Sequence, residues 1–123
     1  MWWLIVAAAV LLLINREMGY AIKPGVWGTM RDEMLPALSA VQRVWNAHGL
    51  GTPVITSIQD GAHMRQSKHN IGLAHDYRLN NLNRDLHELL AVEVAALLGE
   101  DFDVIHEYHG TANDHLHVEF DPD

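Results

Sequence analysis

Between Met30 and His48 the apolar residues Met34, Leu35, Leu38, Val41, Val44 and Trp45 recur at spacings of three and four. That period predicts an amphipathic helix, with Pro36 near its start, where a missing N–H is tolerated, and "HGLGTP" as its stop. "PVITSI" (53–58) is rich in β-branched residues and predicts a strand. Residues 59–71 are polar and carry Gly61, as a loop does, and "GLAHDYRL" (72–79) alternates imperfectly as a second strand. A second helix is expected over 84–98, with Leu86, Leu89, Leu90, Val94 and Leu97 on its buried face and Gly99 as C-cap. "DFDVIHEY" (101–108) and "HLHVEF" (115–120) read as strands joined by the turn "GTAND", and 19–29 as an extended lead-in. The order helix, strand, strand, helix, strand, strand predicts an α+β fold, a small antiparallel sheet with helices on one side. Trp27 and Trp45 are expected in the core.

The first residues behave differently. Residues 2–14 are apolar without a break. As a helix they rise about 20 Å, short of a ~30 Å hydrocarbon core. That length suits a signal-peptide h-region, although no Lys or Arg precedes it and no small-x-small cleavage site follows. A short membrane anchor, a buried helix, or a start-site artefact with Met18 as the true start stand beside that reading. The division is therefore an apolar leader over 1–17 and one domain over 18–123, with export or membrane association (periplasm or cell envelope) favoured over the cytoplasm.

Composition narrows the chemistry. The 123 residues contain no cysteine, which excludes disulfides, thiol nucleophiles and cysteine-held metals. Lys and Arg total 8 against 16 Asp and Glu, a net charge of −8, and no basic face is visible, so nucleic acid is not an expected partner. Nine histidines remain as the notable supply.

Strand parity organises some of them. On "HLHVEF", Leu116, Val118 and Phe120 share one face, while His115, His117 and Glu119 share the other. His117 is a candidate metal ligand, and Asp114, at the turn into the strand, is a candidate to reach a metal-bound water. On "GLAHDYRL", Ala74, Asp76 and Arg78 share a face. If that face meets the one carrying His117, Asp76 adds an oxygen ligand, and Gly72 lets the preceding loop fold His69 over the strand. Two imidazoles, a carboxylate and a water form the donor set of a hydrolytic zinc site. The competing reading is a half-exposed sheet decorated with hydrated histidines.

"SKHNIGLAHD" (67–76) resembles the S-x-H-x-x-G-x-A-x-D motif of the zinc D-Ala-D-Ala carboxypeptidases and dipeptidases and of the phage and bacterial L-alanyl-D-glutamate endopeptidases. Ser67, His69, Gly72, Ala74 and Asp76 fill its five fixed places. "DHLHVEF" (114–120) resembles the closing H-x-H strand of the same family, with an acidic residue three before the second His. The likeness spans about residues 20–122 and is strongest to the short phage-encoded members. It implies a Hedgehog/DD-peptidase-like fold and Zn2+ held by His69, Asp76 and His117. It further implies Asp114 as general base and peptidoglycan stem peptides as substrate, in lysis or wall remodelling. The usual Arg of a G-Y-R-like turn before the motif is missing, so Arg65 or His63 is expected to stabilise the oxyanion. Ser67 is expected to position His69 or the substrate, and His115 to contact substrate. A zinc-containing peptidoglycan-binding module with weak or no turnover, and a structural, membrane-tethered protein, are the competing functions.

Overall fold

The computed structural model describes residues 19–123. The apolar leader lies outside the described residues. No helix among the described residues is long and apolar enough to cross a membrane. Five strands, β1 (Ala21–Ile22), β2 (Val54–Ser57), β3 (Ala74–Arg78), β4 (Phe102–Glu107) and β5 (His115–Phe120), form one sheet in the order β1-β2-β3-β5-β4. Two helices, α1 (Leu35–Ala47) and α2 (His87–Leu98), are each entered through a single 3-10 turn. The fold is α+β, as the periodicities predicted.

The sheet is mixed rather than antiparallel. Ala21 and Ile22, read as lead-in, pair with Val54 and Ile55 in parallel, while β2, β3, β5 and β4 pair antiparallel. Two exposed residues edged onto a neighbour carry no hydrophobic alternation, so periodicity had nothing to detect.

One core holds the helices to one face of the sheet. Met34, Leu38, Val41, Val44 and Trp45 of the first helical segment meet Leu90 and Val94 of α2 and Ile55, Tyr77, Leu79, Leu116 and Val118 from the sheet. Each fully buried side chain of this size contributes ~1.5–3 kcal/mol, before the entropy of ordering it is subtracted. Trp27 departs from expectation and is 62 % exposed. The buried face of α2 also differs: it carries His87, Leu90, Ala91 and Val94, whereas Leu89 and Leu97 are exposed. Residues 89–98 are apolar nearly all round, so the periodicity allowed more than one phase and packing chose it.

His75 lies in this apolar layer, fully buried, with Nδ1 paired to the Tyr77 hydroxyl at 3.2 Å. Burial, and secondarily the His69 ring, push its pKa down to about 4, against a smaller opposing pull from Asp76. The folded chain therefore resists a proton that the unfolded chain accepts near pH 6.5, and stability is lost as pH falls from 6.5 toward 4. In metal-free protein, His75→Leu should shrink the loss of unfolding free energy between pH 7 and pH 4.5 by about 2 kcal/mol. Parallel urea titrations check this, and equal acid losses in both proteins would refute it.

Candidate metal centre

The sheet face away from the helices carries a cleft of about 570 Å³, roofed by the loop 62–69. At its floor three side chains converge. Asp76 on β3 is the direct cross-strand neighbour of His117 on β5. Residues so paired have Cβ atoms about 4.5–5.5 Å apart on one face. His69 arrives from a 3-10 turn, Lys68–Ile71, which Ser67 caps by accepting a hydrogen bond from the His69 N–H at 3.2 Å. Gly72 ends that turn in the left-handed region, at φ 75°, and its N–H donates to the His69 carbonyl. The motif's Ser and Gly are thus the two ends of the turn that aims His69.

The three facing atoms form a nearly equilateral triangle. His69 Nε2 lies 3.2 Å from Asp76 Oδ1 and 3.2 Å from His117 Nδ1, and His117 Nδ1 lies 3.0 Å from Asp76 Oδ1. All three residues are buried. Each outer nitrogen is already engaged: His69 Nδ1 donates to the Ile58 carbonyl at 2.7 Å, and His117 Nε2 donates to Glu119 Oε1 at 2.8 Å. In the neutral rings, then, two imidazole lone pairs and a carboxylate oxygen point at one spot. Such mutual repulsion calls for a cation between them. Ligands 2.0–2.1 Å from a tetrahedral zinc stand about 3.3 Å apart, close to these edges. The outer hydrogen bonds also have the form of those that orient metal-binding imidazoles.

Without a metal, a proton takes that place. Burial works against charge on His117, but its hydrogen bonds to Asp76 and Glu119 outweigh burial and raise the ring to about 9. Burial likewise opposes charge on Asp76, yet its contacts with His117 and His69 hold its carboxyl well below the usual range.

The remaining predicted residues divide. His63 stacks on His69 with ring centroids 4.2 Å apart and contacts Ser57 Oγ at 3.3 Å. Ser67 and His115 line the cleft. His115 Nδ1 donates to the Asn113 carbonyl at 2.7 Å, and its Nε2 lies 3.0 Å from Glu107 Oε1 and 3.5 Å from Asp76 Oδ2. Arg65 is not brought to the centre; it is exposed and does not line the cleft, whereas Lys68 does.

Asp114 is not brought there either. It follows the parity of Leu116, so its carboxylate turns to the helix-bearing face, where His106 Nε2 and the Gly110 N–H donate to it at 2.6 and 2.7 Å. An odd offset of three along a strand puts two side chains on opposite faces, and the short lead-in from the turn does not reverse that.

Two charged lining residues, Glu107 and Lys68, were not singled out from the sequence. Glu107 sits opposite His115 in the β4–β5 register, with its Oε1 3.6 Å from His117 Nδ1, and Lys68 follows the capping Ser67. Glu107's parity with Asp103 along β4, opposite to that of Val104 and His106, was the available signal. Comparison with known proteins adds no assignment: no protein-family model matches the chain, and a search of the curated proteins finds no match.

Proposed function

We propose that this chain is a zinc metallopeptidase that hydrolyses a peptide bond in the stem peptides of peptidoglycan, with a fold of the Hedgehog/DD-peptidase type. The observation that carries the reading is the triangle of His69 Nε2, Asp76 Oδ1 and His117 Nδ1, with edges of 3.0–3.2 Å and its outer nitrogens already engaged. The same three residues are the zinc ligands implied by the likeness of "SKHNIGLAHD" and "DHLHVEF" to the D-Ala-D-Ala carboxypeptidase and L-alanyl-D-glutamate endopeptidase motifs. Two imidazoles and one carboxylate suit zinc better than calcium or magnesium, which prefer oxygen.

Zinc held there supplies a Lewis acid and a water whose pKa falls toward ~7. The proton work falls to His115 and Glu107 rather than to Asp114. With Nδ1–H committed to a carbonyl, the neutral His115 ring presents an Nε2 lone pair beside the Glu107 carboxylate, and this pair can accept one proton from the attacking water and pass that proton to the leaving amine. Lys68 and His63, on the cleft wall, are the groups available to a developing oxyanion or a substrate carboxylate.

A zinc-containing module of the same fold that binds peptidoglycan with little turnover is the second reading. The absence of both Asp114 and Arg65 from the cleft favours it. Mass spectrometry of muropeptides incubated with zinc-loaded protein separates the two. Release of D-Ala, or of fragments cut at L-Ala-D-Glu, is the expected result and identifies the bond. Intact muropeptides, with the protein still sedimenting with peptidoglycan, would overturn the enzyme in favour of the module.

A further inference from the structure

The helix-bearing side of the sheet holds a second histidine cluster. His87 opens α2, His106 lies on β4, and Asp114 precedes β5. One nitrogen or oxygen from each lies within 4.8 Å of the others. His87 Nδ1 is 3.4 Å from Asp114 Oδ2, and His106 Nε2 is 2.6 Å from Asp114 Oδ1. A cleft of about 420 Å³, bounded also by Glu88 and His109, opens onto them.

The hydrogen bonds around this cluster are incomplete in an informative way. Three buried side-chain nitrogens among the described residues have no partner, and two of them are His87 Nδ1 and His106 Nδ1. His87 is 3 % exposed, and its Nε2 donates to the Leu82 carbonyl at 3.2 Å. In the neutral ring its Nδ1 is therefore a lone pair, aimed at a carboxylate oxygen that is also an acceptor. A buried pair of acceptors at that separation is costly unless a cation joins them.

We propose that His87 Nδ1, His106 Nε2 and Asp114 form a second metal site, taking one borderline divalent ion such as zinc. Binding accounts for both orphaned nitrogens. His87 uses its free lone pair. His106 gives up the proton on Nε2 and carries one on Nδ1, where Glu88 Oε2 stands 3.8 Å away and can turn to accept it. His109 stacks on His106 with ring centroids 3.6 Å apart and donates to the His106 carbonyl, which holds that ring in place. Two imidazoles and one carboxylate again favour zinc over calcium or magnesium. The ion would tie the start of α2 to β4 and to the β4–β5 turn, on the opposite side of the sheet from the first centre. This site does not depend on the peptidase reading.

The test is metal stoichiometry of the full chain. Protein stripped with chelator is titrated with Zn2+ in a calorimeter, and metal retained after gel filtration is measured by mass spectrometry. Wild type should hold two zinc ions, and His69→Ala and His106→Gln one each. Co2+ in place of zinc should give a visible d–d spectrum in His69→Ala that His106→Gln lacks from this site. Circular dichroism confirms that each variant is folded, and Glu88→Gln, on an exposed side chain, serves as a gentler variant that should weaken the second binding step alone. Zero zinc in folded His69→Ala overturns the second site. One ion in both wild type and His69→Ala, lost in His106→Gln, sustains the second site while overturning the first.

Discussion

His117→Ala is expected to abolish zinc binding at the His69–Asp76–His117 centre, and His69→Ala and Asp76→Ala to do the same. Each removes one corner of a triangle whose other two groups cannot hold the ion alone. The folded chain binds the metal and the unfolded chain has no assembled site, so zinc binding adds to stability. At free zinc a thousandfold above Kd this amounts to about 4 kcal/mol. For a domain near 100 residues each kcal/mol moves Tm by about 4–8 °C, so zinc-loaded wild type should melt more than about 10 °C above any of the three variants. Metal analysis and melting curves with and without chelator provide the check. Full zinc content in all three variants would contradict the assignment.

The metal-free protein adds a pH signature to this result. With its folded pKa raised from 6.5 to about 9, His117 contributes stability that is complete below pH 6.5. That contribution disappears as pH rises through 9, on the order of 2–3 kcal/mol. His117→Ala should flatten the decline. Zinc competes with the same proton, so its uptake should release protons and its affinity should rise with pH over that window.

The second large effect concerns turnover. Glu107→Gln keeps the shape of the side chain but cannot take a proton, and hydrolysis of stem peptide should fall 10²–10⁴-fold, the usual worth of a general base. His115→Gln should fall in the same range. Neither residue belongs to the zinc triangle, so the His69–Asp76–His117 centre should stay loaded in both. Arg65→Ala should leave hydrolysis within about threefold of wild type, because Arg65 lies outside the cleft. Steady-state rates with metal content measured on the same samples decide the matter. A Glu107→Gln rate within about threefold of wild type would remove Glu107 from the mechanism.

Asp114, expected at the metal, lies on the helix side of the sheet, and Glu107, which the sequence did not single out, lines the cleft, for one physical reason. A resemblance transfers position along the chain, but a catalytic role depends on which side of the sheet a side chain occupies. Asp114 lies three residues before His117 and faces the helices. Glu107 lies ten residues before it and faces the cleft, because the β4–β5 register sets it opposite His115. Arg65 shows the same limit in a loop, where no periodicity says which of His63, Arg65 and Lys68 turns inward.

By itself the sequence determined the local features of this protein. The spacings of Leu38, Val41, Val44 and Trp45 marked the first helix, and β-branched and alternating runs marked β2 to β5. Ser67 and Gly72 bracketed the turn that aims His69, and strand parity put Asp76 on a different face from His75 and Tyr77. These follow from periods of 3.6 and 2 and from capping chemistry, which act within a few residues. Only the tertiary structure decided what depends on long-range pairing: the parallel edge strand Ala21–Ile22, the face of α2 that packs inward, the register that sets Asp76 against His117, and the second cluster of His87, His106 and Asp114. Those contacts join residues tens of positions apart, and it is their packing and hydrogen bonding, not any local pattern, that brings them together.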